Sequence, residues 1–260
     1  MIRVGIGGWV FKPWRGTFYP KGLAQARELE HASRVLTTIE INGTFYGSQK
    51  PESFRRWAAE TPDDFVFSVK GPRFTTHRAV LAEAGSSIER FFASGVLELK
   101  AKLGPVLWQF PPFKTFEPQD LAAFLALLPQ RLEGRPIRHV VEVRHPSFCA
   151  PEFVALMREH AVAIAGIESD KYTLIADATS DFVYLRLQKT SEDIATGYSK
   201  RDLESWAKRA RVYAEGGAPS DLKTLAPAPA KSKRDVFVYM ISGAKVRAPA
   251  AAHALLAQLK

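Results

Sequence analysis

An eightfold alternation is the feature that most constrains this chain. Short runs rich in Val, Ile and Phe recur at Ile2–Gly7, Leu36–Asn42, Phe65–Lys70, Pro105–Gln109, Arg138–Arg144, Ala161–Ile167, Asp181–Leu187 and Asp235–Ile241. Such residues suit a pleated, half-buried backbone, so each run reads as a strand. Helical patterns separate them, among them Leu23–Val35, Pro51–Glu60, Gln119–Leu128, Glu152–His160 and Lys200–Glu215. Pro51 followed by Glu52 marks a helix start, where a missing N–H does no harm. Strands joined by helices pair in parallel, and eight such units predict a closed α/β barrel of the (β/α)8 TIM type. The 260 residues match one such domain, 1–260. The connection between the sixth and seventh runs is short, which predicts a reduced or missing helix there.

The segment Gly216–Arg234, GGAPSDLKTLAPAPAKSKR, breaks this pattern. It is rich in Gly, Pro, Ala and Lys and reads as a flexible loop before the eighth strand. In a barrel that places it on the N-terminal face, away from the catalytic end. It carries four basic residues (Lys223, Lys231, Lys233, Arg234) against Asp221, a net +3 of the whole chain's +9. Net charge is therefore a weak guide to the active face, although a basic balance favours anionic partners. One cysteine, Cys149, excludes an intrachain disulfide and fits a reducing compartment. The opening MIRVGIGGW lays out a strand instead of a charged-then-apolar leader, and no apolar run reaches membrane-span length. The cytoplasm is the expected location, with no membrane partner.

Strand parity locates the chemistry. Residues two apart share a face, and the outer face must be apolar to meet the helices. Ile39 and Ile41 then point outward, and Thr38, Glu40 and Asn42 inward. The same logic turns Val66, Ser68 and Lys70 inward, with Leu107 and Gln109, Val140, Glu142 and Arg144, and Tyr184, Arg186 and Gln188. Each series is apolar or small below and polar at the strand's C-terminal end, where barrel enzymes build their sites. The bland alternative is a buried ion-pair network in which Glu40, Lys70, Glu142, Arg144 and Arg186 neutralise one another. Trp9, Phe45, Tyr46, His77 and His145 fall in the loops after these strands and are expected to wall a pocket or stack on a sugar or base.

These residue types point to acid/base chemistry on an anionic, sugar-like or nucleotide-like substrate. Glu40 and Glu142 are a candidate acid and base. Lys70, with its pKa lowered by burial and Arg144, is a candidate base or Schiff-base amine. Arg144 and Arg186 suit a phosphate or carboxylate, and His77 a proton shuttle. A glycosidase uses two carboxylates but leaves Lys70 and the arginines without a role. A metal site draws on His77, His145, Glu40 and Glu142, yet there is no HExxH or paired-Cys spacing, and the nearby cations would repel a metal. No metal and no cofactor are expected. Gly5-Ile6-Gly7-Gly8 is not a full dinucleotide fingerprint. Nucleic-acid binding is a second class of function, weakened by the lack of a basic stripe. A non-enzymatic ligand-binding scaffold is a third.

The segments GIGGW…PWRGTFYP, IEINGTFYGSQKPESFRRWAAETPDDFVFSVKGPRFTTH, KLGPVLWQFPP, VVEVRHPSF and DFVYLRLQ…GYSKRDLESWAKR resemble, in order, the YecE-like family called domain of unknown function 72. The resemblance spans nearly the whole chain and implies a TIM-type barrel, with no particular reaction. It covers Trp9, Glu40, Asn42, Phe45, Tyr46, Lys70, His77, Gln109, Glu142, Arg144 and Arg186, and adds Tyr198 to the substrate-binding set. The family pattern has His-Gly after the seventh strand and Asn-Asn ending the eighth, where this chain has Gln188-Lys189 and Ile241-Ser242. If those positions carry chemistry, activity or specificity is altered here.

Overall fold

The computed structural model describes all 260 residues. Eight parallel strands close into a barrel: β1 (Ile2–Gly7), β2 (Thr38–Ile41), β3 (Val66–Lys70), β4 (Leu103–Gln109), β5 (His139–Glu142), β6 (Ala163–Glu168), β7 (Phe182–Leu187) and β8 (Asp235–Met240). Each pairs with its neighbour in sequence, and β8 closes on β1. Seven helices cover the outside: α1 (Glu28–Val35), α2 (Pro51–Glu60), α3 (Gly85–Ala93), α4 (Pro118–Leu127), α5 (Pro151–Glu159), α6 (Lys200–Ala214) and α7 (Ala248–Leu259). Proline opens α2, α4 and α5, and the Ser199 hydroxyl accepts the Asp202 N–H at the start of α6.

No helix follows β6. Residues 169–181 run as coil, and the coil packs directly on the strand because position 166 is glycine. A Cβ there would stand 2.9 Å from Leu185 Cδ2 and 3.3 Å from Leu174 Cδ1. The strand therefore has room for a close chain and needs no helix to cover it. The Thr179 hydroxyl fastens the coil to Val162 O at 2.7 Å.

The interior is layered. At the N-terminal end, Arg138 bridges Asp235 at 2.7 Å and Asp181 at 2.8 Å, and the N-terminal ammonium joins Asp235 at 2.9 Å. Above it, an eight-residue cluster (Leu107, Val140, Ala163, Ala165, Phe182, Tyr184, Phe237 and Tyr239) fills the barrel with the residues that strand parity turns inward. The next layer is hydroxyl-rich: Thr38 bonds Tyr239 and Ser68 bonds Tyr184, each at 2.8 Å. The charged layer lies on top. Outside, 55 buried residues form the core between strands and helices.

Two departures from the expected elements matter. The fifth strand ends at Glu142, so Arg144 belongs to the loop and its side chain returns to the barrel from there. The sixth strand runs one residue further than expected and ends at Glu168. The loop 216–234 has no helix or strand of its own, but its middle is tied down: Asp177 accepts the amides of Leu225 and Ala226 at 2.8 and 3.0 Å.

Candidate functional site

Parallel register sets the strand ends side by side. Glu40 pairs with Gly7 and Ser68, Lys70 with Leu107, and Gln109 with Glu142. On the far side of the barrel, Arg186 reaches across the interior. Its Nη2 donates to Glu40 Oε1 at 2.8 Å, its Nε to Glu40 Oε2 at 3.0 Å, and its Nη1 to Glu142 Oε2. Tyr184 adds a hydrogen bond to Glu40 at 2.6 Å. Arg144 closes the network, with Nη2 at 2.7 Å from Glu142 Oε1 and at 3.0 Å from Gln109 Oε1.

Burial decides the roles. Glu40 and Glu142 are fully buried and Arg186 is 2% exposed. Burial alone would raise the Glu142 carboxyl, but Arg186, Arg144 and Lys70 outweigh it and hold the group below its ordinary range. Burial opposes the charge of Arg186, and its two carboxylates overcome that and raise its pKa. Guanidinium groups and Tyr184 engage the oxygens of Glu40 and Glu142, the expected acid and base. All three nitrogens of Arg186, the expected clamp, are engaged by these carboxylates within the barrel. Together they are the ion-pair network that strand parity also allowed.

Lys70 stands apart. The two carboxylates are committed to arginines, which leaves its ammonium without an ion-pair partner. It is 6% exposed and lies 4.0 Å above the Phe45 ring. Burial, then Arg186, push its pKa down to about 8, against the opposing pull of Glu40 and Glu142. The cluster has three cations against two carboxylates, so one positive charge is uncompensated at the mouth.

Above Lys70 runs an aromatic wall. Phe45 meets Tyr46 at 5.2 Å and His77 at 5.7 Å, and His77 meets Phe113 at 6.4 Å. Burial, Arg73 and Lys70 lower the His77 pKa. Beside it, Trp9, Asn42, Tyr46, Trp57 and Lys245 line a cleft of about 330 Å³ that also touches Gly7 and Gly8. The lining does not include Lys70, so the cleft is an annex of the mouth. His145 stands further out, where its Nδ1 meets Ser147 at 2.9 Å and orders the loop after β5.

Tyr198 is placed differently from expectation. It is 4% exposed, its hydroxyl donates to Glu168 Oε2 and accepts the Lys189 N–H, and Trp206 donates to Glu168 Oε1. It positions Glu168 and presents no free hydroxyl to a substrate. Glu168 itself escaped sequence reading because the strand was expected to end one residue earlier. Two threonines were also missed. Thr44 donates to Lys70 O and Thr76 to Gln109 O, each at 2.6 Å, so each loop is stitched to the next strand end. Neither stands at a fixed interval from its strand end, so no spacing pattern marks them. Tyr172, 4.9 Å from the Arg144 guanidinium, had no sequence signal. No group of three His, Cys, Asp or Glu residues is placed to hold a metal ion, and no helix is long and apolar enough to cross a membrane.

A profile described as "Protein of unknown function DUF72" matches residues 3–260. The chain belongs to the DUF72 family. Among curated relatives, it is 33% identical over 150 residues to UPF0759 protein YecE of Escherichia coli (strain K12), covering 58% of this chain and 51% of YecE. It is 28% identical over 158 residues to UPF0759 protein YunF of Bacillus subtilis (strain 168), covering 59% and 54%. The chain thus spans about half the length of the curated relatives it matches. Among solved structures, a DUF72 protein of Thermotoga maritima MSB8 superposes with a TM-score of 0.75 at 23% identity, covering 98% of this chain and 97% of that one. A xylose isomerase-like TIM barrel fused to a 4-hydroxyphenylpyruvate dioxygenase gives 0.50 at 14% identity, with 96% and 41% covered. At these identities the likeness extends to the TIM barrel and no further.

Proposed function

We propose that this DUF72 protein is an enzyme that handles a small anionic, sugar-like carbonyl compound at the mouth of the barrel, with Lys70 as the reacting amine. The observation that carries this reading is the Lys70 ammonium itself: 6% exposed, unpaired, against Phe45 and beside arginines. Desolvation and neighbouring cations are the two means by which proteins make an amine nucleophilic. With a pKa of about 8, roughly a tenth of it is free amine at pH 7, against about one part in 3,000 at the ordinary lysine value. The amine nitrogen adds to a substrate carbonyl carbon, and the carbonyl oxygen takes up one proton from that nitrogen and one from solvent and leaves as water, which forms the iminium. Arg144, whose side chain is 20% exposed, is the cation available to a substrate phosphate or carboxylate. The Glu40–Arg186–Glu142 network holds Arg144 through Glu142.

The test is reductive trapping. The protein is incubated with a panel of 2-oxo acids and ketose phosphates, then with borohydride, and the adduct is mapped by mass spectrometry. A stable adduct on Lys70, absent in Lys70→Met, is the expected outcome. If every substrate in the panel leaves Lys70 unmodified while other lysines react, the amine is not the reacting group.

A second reading, nucleic-acid binding, draws on the exposed aromatics at the rim, Tyr46 at 74% and Phe113 at 75%. A gel shift with single-stranded oligonucleotides that weakens with salt supports it, and no shift at low salt removes it.

A further inference from the structure

The cleft beside the mouth carries polar groups that the protein itself does not use. Its aromatic wall is fixed in place. Trp9, half-buried after β1, meets Trp57 of α2 edge to face at 5.1 Å and Phe67 at 6.3 Å. The Trp9 carbonyl accepts the Tyr19 hydroxyl at 2.5 Å, which holds the loop that carries the indole. Tyr46, 74% exposed, adds a third ring. Two amide side chains join the lining, Asn42 just after β2 and Gln49 just before α2. Asn42 Nδ2 donates to Glu40 O at 3.3 Å, a long bond that leaves its Oδ1 and one N–H unused. Glycine at position 7 makes room for that amide, because a Cβ there would stand 3.0 Å from Nδ2. Gln49 Nε2 lies 3.6 Å from the place of a Gly43 Cβ, and the Gln49 amide has no hydrogen-bond partner in the protein. Gly8, at φ +70°, has nothing within 4 Å of its Cβ position, so backbone reaches the cleft bare.

This combination selects a ligand class. A volume of about 330 Å³ lies at the low end of small-molecule sites and suits a single ring. Aromatic faces carry negative charge density and attract the weakly positive C–H bonds of a saturated ring. Each amide offers donors and an acceptor in one plane, which matches neighbouring hydroxyl groups that both donate and accept. A sugar ring presents both features, C–H bonds on its faces and hydroxyls around its edge. A flat nucleobase gains most from parallel rings, whereas Trp9 and Trp57 stand at 78° and offer no parallel slot. No carboxylate lines the cleft, and Lys245 is its one charged residue. The Lys245 ammonium rests 4.7 Å from the Phe11 ring centre and 5.6 Å from that of Trp14, so the cleft disfavours cations and tolerates an acid.

We propose that this cleft is a binding site for one sugar ring, a neutral monosaccharide or a hexuronate, with its C–H face on Trp9 and its hydroxyls on Asn42 and Gln49. The site adjoins the mouth through Tyr46, which meets Phe45 at 5.2 Å, and it stands whether or not Lys70 is a reacting amine.

The experiment is saturation-transfer NMR on the full chain with glucose, galactose, xylose, glucuronate and adenosine at millimolar concentration, followed by titration of the tightest binder. Wild type is expected to bind at least one of the sugars saturably, with the strongest transfer to ring C–H protons, because those face the indole. Trp9→Ala and Gln49→Ala are each expected to weaken that affinity by about tenfold. Should Trp9→Ala fail to fold, Gln49→Ala decides alone, since its side chain has no hydrogen bond in the protein to lose. Lys70→Met is expected to bind the sugar as wild type does, which separates this test from reductive trapping. Equal binding of neutral sugars and glucuronate assigns the site to the ring alone, and tighter binding of glucuronate assigns the acid to Lys245; both support the site. No transfer to any of the four sugars, binding that survives in both cleft variants, binding lost in Lys70→Met, or tighter binding of adenosine than of any sugar would overturn it.

Discussion

Glu40→Gln is the sharpest test of the network under the mouth. Glu40 has no solvent exposure and receives three hydrogen bonds, at 2.8 and 3.0 Å from Arg186 and 2.6 Å from Tyr184. The amide keeps the shape and removes the charge. One of its ends becomes an NH2 group that faces donors of Arg186 or Tyr184, so at least one buried contact turns from attraction to repulsion. Arg186 then has Glu142 alone as a counter-ion, and Glu142 is shared with Arg144. Removing one partner of a buried pair destabilises by about 3–5 kcal/mol. For a chain of this length that corresponds to a fall in melting temperature of roughly 6–10 °C. Urea unfolding followed by circular dichroism measures it directly. The double variant Glu40→Gln/Arg186→Met removes both charges and should recover most of the loss, because the penalty lies in the orphaned charge more than in the lost attraction. A single-variant loss below about 1 kcal/mol, or a double variant no more stable than the single, refutes the reasoning.

Two further outcomes follow from the structure. His139 is 2% exposed, and burial pushes its pKa down to about 4, while Trp108 donates to its Nδ1 at 3.1 Å. The unfolded chain binds this proton near pH 6.5 and the folded one only near 4, so stability falls as pH drops through that window, by about 3 kcal/mol, with no further loss from this group below it; in His139→Phe the acid limb of a stability–pH curve should flatten by a corresponding amount, and an unchanged limb would show that His139 does not titrate as described. Asp177→Ala removes the acceptor of two loop amides, and trypsin cleavage after Lys223 and Lys231 should accelerate several-fold while the barrel stays folded; equal cleavage rates would mean that Asp177 does not hold the loop.

Sequence determined the barrel and the direction of its strand residues, and tertiary structure decided which partners those residues meet. Eight strand-like runs with helical spacers admit few closed folds, and parity is a local property of extended backbone. Thr38, Glu40, Ser68, Lys70, Gln109, Glu142 and Arg186 therefore pointed inward on paper as they do in the fold. The missing helix after the sixth strand was legible too, from the length of the connection alone. Partner choice was not legible. Glu40 and Arg186 are 146 residues apart in the chain, and only barrel closure brings them together. Their ion pairing, with that of Glu142, engages the two groups expected as acid and base and the one expected as a clamp, and leaves Lys70 as the cation without a partner. Periodicity reports which way a side chain points. Which charge it meets, and whether water reaches it, depends on long-range packing that no short stretch of sequence encodes.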